Sequence, residues 1–195
     1  MNKTIDYYNQ NADSYYRTTV GTDLDATRKR FAKYLPTEAR VIDIGCGSGR
    51  DVLAFSDMGF DAAGLDASEE LVGLAKERLG VKAFAADMST WIASEPYDGI
   101  WCCASVMHLD DEECKRFFEN LQYNLKPKGA IYISVKSGIE TGEDAAGRYL
   151  MDFTREDIEG LVNAVRGLRI REFWYTEDTL KRRDFKWMNI IAVRS

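Results

Sequence analysis

Val41-Ile42-Asp43-Ile44-Gly45-Cys46-Gly47-Ser48-Gly49-Arg50-Asp51 runs from a β-branched segment through three alternate glycines into a helical pattern. The run from Val41 to Ile44, apolar but for one acid, reads as a buried strand. Val52, Leu53 and Phe55 mark the opening of a helix over residues 51–57. Strand, glycine-rich turn and helix in this order would present backbone N–H groups to a ligand at the carboxyl edge of an α/β sheet. Glycine suits the turn because a Cβ would oppose φ > 0 and hold a ligand off the backbone.

Two nucleotide-type ligands compete for such a turn. The dinucleotide fingerprint G-x-G-x-x-G places a pyrophosphate on the helix N-terminus. Here Gly49 comes one residue early and Arg50 fills the last position of that pattern. Gly45-x-Gly47-x-Gly49, led by Asp43, instead resembles motif I of the class I S-adenosylmethionine-dependent methyltransferases. The resemblance implies a ligand without phosphate, with an amino-acid end, a ribose and an adenine. Asp43 would then hold the ligand's ammonium, directly or through water, with Gly45, Cys46, Gly47 and Gly49 forming the turn around it. A generic βα turn carrying an incidental acid is the plainer alternative.

The chain has 195 residues, enough for one sizeable core, and is 45% hydrophobic and 30% charged, as globular domains are. Its 26 basic and 32 acidic residues leave a formal charge of −6, which does not suit a bulk nucleic-acid binder. No apolar run reaches membrane-spanning length, and the N-terminus lacks the apolar region of a signal peptide. The four cysteines form no C-x-x-C pair, and one histidine, His108, leaves no ligand set for zinc, so no metal is expected. Reduced thiols and a cytoplasmic location follow.

Asp66 ends the second expected strand, residues 61–65, twenty-one positions after Gly45. An acid there can chelate two vicinal ribose hydroxyls, with Ala67 following it. Twenty-one positions further on, Asp87-Met88 follows the third expected strand, residues 81–85. By the resemblance, Asp87 would accept a hydrogen bond from the adenine amino group and Met88 would meet the ring. Asp87 also makes a helix N-cap ahead of residues 89–93. The fourth strand ends at Cys102-Cys103 and delivers Ser105 and His108. The resemblance places this strand end, with Cys103, at the methyl-donor centre, so Ser105 and His108 are the candidate catalytic residues. His108, with an ordinary pKa near neutrality, is either a general base or a positioning residue.

Residues 110–125 carry Cys114, Phe117, Phe118, Leu121 and Leu125 on one helical face, and 130–136 alternate as a fifth strand. Residues 126–129, Lys-Pro-Lys-Gly, read as a stop and turn, and resemble the turn that precedes this strand in the family. Residues 137–148 read as a loop, 154–165 as a helix capped by Thr154, and 168–175 and 185–193 as two last strands. Ahead of the core, Tyr8, Ala12, Tyr15 and Tyr16 lie at helical spacing, and Arg28, Lys29 and Arg30 read as a solvated face. The resemblance implies a Rossmann-like α/β fold: a doubly wound, mostly parallel seven-stranded sheet, its last strand antiparallel, with helices on both faces. One domain is expected, with residues 1–36 as a helical lid segment, 38–136 as the cofactor core and 137–195 as the substrate side.

The function so implied is S-adenosylmethionine-dependent methyl transfer to a small molecule, in the manner of the enzymes named for tellurite or thiopurine methylation. Arg148 and the Lys181–Arg183 cluster could clamp an acidic acceptor. Ser105-Val106-Met107-His108 stands where many nucleic-acid and protein amino-methylases carry Asn/Asp-Pro-Pro-Tyr/Phe. Two rivals remain: a protein that binds S-adenosylmethionine without catalysis, and an NAD(P)-dependent oxidoreductase, the latter disfavoured by the early third glycine and the lack of a Tyr-x-x-x-Lys pair.

Overall fold

The computed structural model describes residues 2–178 and 185–195. Helix α1 (Lys3–Gln10) starts at Asn2, whose side chain accepts from the N–H groups of Thr4 and Ile5. At Asn11 the backbone leaves the helical region (φ −111°, ψ 15°), and α2 (Ala12–Thr19) sets off again. The tyrosine-rich segment, read as a single amphipathic helix, is therefore two short ones. Helix α3 (Asp25–Ala32) then leads to strand β1 (Arg40–Ile44).

From β1 the chain alternates: α4 (Arg50–Asp57), β2 (Asp61–Asp66), α5 (Glu69–Leu79), β3 (Ala83–Ala85) and β4 (Tyr97–Cys103). Ser68 caps α5 by accepting from Leu71 N, and Gly80 closes it in the left-handed conformation. Helix α6 (Asp111–Asn124) begins with a reciprocal capping box between Asp110 and Glu113, which explains the acidic run there. Strand β5 (Leu125–Ser137), a short hairpin of β6 (Gly142–Glu143) and β7 (Tyr149–Leu150), α7 (Arg155–Ala164), β8 (Leu168–Glu177) and β9 (Lys186–Arg194) complete the described elements.

The main sheet has the order β3-β2-β1-β4-β5-β9-β8. β1 to β5 pair in parallel, and β9 runs antiparallel to both β5 and β8. Side chains alternate between two cores. Ile42, Ile100, Ile131 and Ile190 pack under α6 and α7, while Val41, Trp101, Tyr132 and Ile191 pack with α3, α4 and α5. The strand order turns back between β1 and β4, and a ligand crevice belongs at the carboxyl ends of those two strands.

Four local readings are corrected. Residues 88–90 form a turn and 91–93 no regular structure where a helix was expected over 89–93, and Asp87 accepts from Ser89 N and Oγ (both 2.8 Å). The loop at 137–148 contains most of the β6–β7 hairpin, tied by Asp144, which accepts from the backbone N–H groups of Ala146 and Arg148. Lys126-Pro127-Lys128-Gly129 is absorbed into β5 as a register irregularity, with Lys128 at φ 66°. Arg28 is not solvated: it is 8% exposed and paired with Asp51.

Candidate functional site

The glycine turn engages its own donors. Gly45 N and Cys46 N donate to the Leu65 carbonyl (2.7 and 3.0 Å), Gly47 N to the Asp66 carboxylate (2.8 Å) and Gly49 N to the Cys46 carbonyl (2.9 Å). The N-terminal turn of α4 already carries the buried carboxylate of Asp51. These four N–H groups are thus taken up within the fold and not offered to a ligand, and a phosphate would meet an anion at the helix end. What the glycines supply is proximity. A Cβ on Gly45 (φ 79°) would lie 2.3 Å from Ser105 Cβ, and one on Gly47 (φ 52°) 3.0 Å from the Tyr15 ring.

Three acids rim the crevice in different states. Asp43, near the carboxyl end of β1, is 2% exposed and its Oδ1 has no hydrogen-bond partner. Burial, reinforced by the charge of Asp51, pushes its carboxyl well above the ordinary value. Asp66, at the end of β2, accepts from Gly47 N and Ser68 N (2.8 and 2.9 Å), which locks the β2 terminus to the glycine turn. Burial raises its pKa, and these N–H bonds oppose the rise. Asp87 places both of its bonds on Oδ1, leaving Oδ2 without a partner among the described residues.

Two adjoining cavities open at this edge, of about 90 Å³ and about 300 Å³. Gly45, Gly47, Asp66, Ala67, Asp87, Met88, Cys103, Ser105 and His108 line the first. Asp43, Gly45, Cys46 and Cys103 line the second, with Ser134, Lys136, Arg148 and Trp187 on its far wall. Tyr8, Tyr15, Gly45, Cys103 and Ala104 border both. Gly49 lines neither; a Cβ there would meet Ala75 Cβ at 2.8 Å, so its smallness serves helix packing. The Ser105 hydroxyl donates to the Ile44 carbonyl (2.8 Å) and ties the β4 loop to β1.

His108 is held from two sides. Its Nδ1 lies 2.8 Å from the Tyr149 carbonyl and its Nε2 2.9 Å from the Tyr8 hydroxyl. A carbonyl can only accept, so Nδ1 carries the hydrogen and Nε2 accepts from Tyr8. Burial lowers the imidazole pKa to about 4, with Arg148 and Lys136 adding to the fall. Arg148 is anchored by Asp144 (2.6 and 3.0 Å) and donates to the Tyr8 hydroxyl at 3.4 Å.

Sequence reading missed the charge cluster behind the turn. Asp51 accepts from Arg28 (2.6 Å), Arg50 (2.6 and 3.1 Å) and Trp101 Nε1 (3.1 Å). Asp51 reads in the sequence only as the start of a helix, and of its partners Arg28 and Trp101 come from α3 and β4. It missed Tyr8 as the partner of His108 for the same reason, the two being a hundred residues apart. The cluster at 181–183 lies outside the described residues. Among the described residues no group of three His, Cys, Asp or Glu side chains could hold a metal, and no helix is long and apolar enough to cross a membrane.

Known proteins share this architecture. The crystal structure of Burkholderia thailandensis 1,6-didemethyltoxoflavin-N1-methyltransferase, with bound 1,6-didemethyltoxoflavin and S-adenosylhomocysteine, superposes with a TM-score of 0.76 at 20% identity, covering 97% of this chain and 88% of that one. A TehB-like S-adenosylmethionine-dependent methyltransferase from Corynebacterium glutamicum gives 0.73 at 20% identity, covering 96% and 98%. These likenesses establish the fold. In sequence, trans-aconitate 2-methyltransferase of Variovorax paradoxus is 32% identical over 110 residues, 54% of this chain and 42% of that protein. The chain spans less than half the length of the curated relatives it matches. Residues 16–183 match the family described as "Methyltransferase domain", and the chain belongs to that family.

Proposed function

We propose that this protein transfers a methyl group from S-adenosylmethionine to a small-molecule acceptor. One observation carries the reading: Asp43, at the switch point of the sheet, keeps a buried carboxylate oxygen without a partner. Such an atom calls for a cationic donor, and the ligand's ammonium is one. The engaged N–H groups of the glycine turn favour a nucleoside without phosphate over a dinucleotide, which argues against the oxidoreductase alternative. The donor set fits the cofactor: Asp43 for the ammonium, Gly45, Cys46 and Gly47 along the turn, Asp66 with Ala67 for the ribose, and Asp87 with Met88 for the adenine. Cys103 closes the wall between the two cavities.

When bound, S-adenosylmethionine supplies a methyl group already activated by a sulfonium charge. The chain's task is to bind, align and exclude water. Ser105 holds the β4 loop in place, and His108 stands at the inner cavity as the one imidazole. Residues 1–36 act as the lid, 38–136 as the cofactor core and 137–195 as the acceptor side of one domain. An acceptor that bears an acid would meet Lys136 and Arg148 in the larger cavity, whose lining also holds Asp23, Asp43, Asp51, Glu177 and Asp178. A relative named for methylating trans-aconitate and a structural neighbour holding a toxoflavin precursor support the small-molecule class. No nucleic acid or membrane partner is proposed. Four unpaired cysteines suit the reducing cytoplasm.

The test is thermal unfolding with S-adenosylmethionine, S-adenosylhomocysteine or NADH. Ligand at about 100 times its Kd adds roughly 2.7 kcal/mol. For a chain of this length that is a rise of about 5–10 °C. A rise with NADH and none with the adenosyl ligands rejects the proposal. Turnover of trans-aconitate, tellurite, 4-hydroxybenzoate or 4-mercaptobenzoate then separates an enzyme from a binding protein.

A further inference from the structure

Five residues border both cavities, and three of them, Tyr8, Tyr15 and Cys103, carry an ionisable group. Burial pushes the Cys103 thiol up to about 12 and raises the Tyr15 phenol as well, so neither accepts a proton near neutrality by itself. Burial raises the Tyr8 phenol too, with Arg148 opposing the rise, but Tyr8 differs in what stands behind it. Its hydroxyl donates to Nε2 of His108 (2.9 Å) and accepts from the Arg148 guanidinium (3.4 Å), while the other imidazole nitrogen is anchored on the Tyr149 carbonyl (2.8 Å). The phenol therefore has a base to receive its proton and a cation to steady its oxygen.

We propose that Tyr8 is a catalytic residue of the methyl transfer, taking the proton of a hydroxyl acceptor as it passes its own to His108. The inference rests on the function proposed above and narrows the acceptor to a hydroxyl compound that also bears an acid. The acceptor oxygen forms its new bond to the methyl carbon with a lone pair, and the carbon–sulfur pair stays with sulfur. The acceptor's O–H proton goes to Tyr8 Oη, the former Tyr8 proton goes to Nε2, and the imidazolium discharges to water. The sum is one ether, one thioether and one proton.

An imidazolium here is costly chiefly because it is buried, and further because Arg148 and Lys136 face it, with Asp144 as the opposing charge and Glu113 on the same cavity wall. During the transfer, however, the positive charge that the donor brings into the site is lost. A proton reaching His108 then restores the charge the site held before, so the electrostatic load is relocated and not increased. Carboxylate and thiolate acceptors carry no such proton and gain nothing from the relay. His108 acts through Tyr8 and is a positioning residue in this scheme.

The chain holds one histidine, so ¹⁵N-histidine labelling gives an unambiguous signal. In the S-adenosylhomocysteine complex, Nδ1 should be protonated and Nε2 unprotonated between pH 5 and 8, and Tyr8→Phe should shift the Nε2 resonance alone. Turnover is measured with 4-hydroxybenzoate and mandelate as hydroxyl acceptors and with 4-mercaptobenzoate and trans-aconitate as ionised ones. Tyr8→Phe should lower kcat on a hydroxyl acceptor by about 100-fold or more with little change in KM, as loss of proton transfer does. His108→Asn should do the same, since its amide can still donate to the Tyr149 carbonyl but is not basic enough to take the Tyr8 proton. Both variants should still bind S-adenosylhomocysteine, and should lose far less turnover on an ionised acceptor than on a hydroxyl one. A proton found on Nε2, equal losses on both acceptor classes, or an unchanged protein that methylates neither hydroxyl acceptor overturns the inference. If the unchanged protein fails to bind S-adenosylhomocysteine at all, the methyltransferase reading itself is what fails.

Discussion

Asp43 is the residue at which binding and stability pull in opposite directions. Its carboxyl is raised in the folded, ligand-free protein, so its contribution is present below the unfolded value near 4 and lost as pH rises through the folded pKa. Asp43→Asn removes the charge that burial penalises. It should raise the unfolding temperature of the ligand-free chain at pH 7–8 by a few degrees, read by calorimetry. The same change removes the counter-ion for an ammonium and should weaken S-adenosylhomocysteine binding by at least about tenfold. In the unchanged protein, binding should release a proton, so affinity rises with pH until the raised pKa is passed. Titrations in two buffers of different ionisation enthalpy count that proton, and Asp43→Asn should give none. An Asn variant that binds as tightly, with the same proton release, would remove Asp43 from the site. The identity of this acid was legible because an acid in an apolar strand is conspicuous. That the glycine turn engages its own N–H groups was not legible, since those bonds run to Leu65 and Asp66 on the next strand.

Helices α1 and α2 span the crevice as a bridge between the cofactor side and the β6–β7 hairpin. On the cofactor side, Ser68 Oγ donates to Asn9 (2.7 Å), and Arg78 pairs with Asp13 while lying 4.7 Å over the Tyr16 ring. On the hairpin side, Tyr149 N donates to Thr4 Oγ1 (2.9 Å), and Lys3 pairs with Glu143 (2.8 Å). These contacts differ in weight. Lys3 and Glu143 are exposed, and such pairs add little in water. Thr4 is 7% exposed, so Thr4→Val leaves a part-buried N–H without its acceptor, at about 1–2 kcal/mol. Hydrogen exchange of the α1 amides should accelerate about 5- to 30-fold in Thr4→Val while global unfolding barely moves, because α1 opens locally. Lys3→Ala should leave both unchanged. Protection lost evenly across the sheet in Thr4→Val would mean that α1 does not open separately. An element with a local code, such as the helix capped by Thr154, was read in place. The break at Asn11 and the hairpin were missed because partners far along the chain, Thr4 with Tyr149 among them, decide them.

At the scale of the molecule, the strand order was legible because apolar runs mark most strands, alternating only in the later ones, and the family resemblance orders them, whereas the joint between the layers was not. Asp51 lies under the sheet's switch point, 3% exposed, and joins α3 through Arg28, α4 through Arg50 and β4 through Trp101. Burial works to raise its pKa, but Arg50 and Arg28 outweigh that and hold it below the ordinary carboxylate value. A depressed pKa contributes stability that is present above the unfolded value near 4 and is lost as pH falls through the folded one. Arg28→Met keeps the apolar stem of the side chain but leaves Asp51 with one guanidinium and the indole. Removing one member of a buried pair costs about 3–5 kcal/mol, and the two remaining donors should place this case near the lower end. About 3 kcal/mol corresponds to roughly 6–12 °C in a chain of this size. The deficit should be full at pH 7 and shrink below about pH 4, where the unchanged protein begins to lose the same contribution. Calorimetric scans from pH 3 to 7 measure this directly. A deficit independent of pH would assign the loss to packing of Arg28 against its neighbours, and the charge joint between α3, α4 and β4 would have to be abandoned.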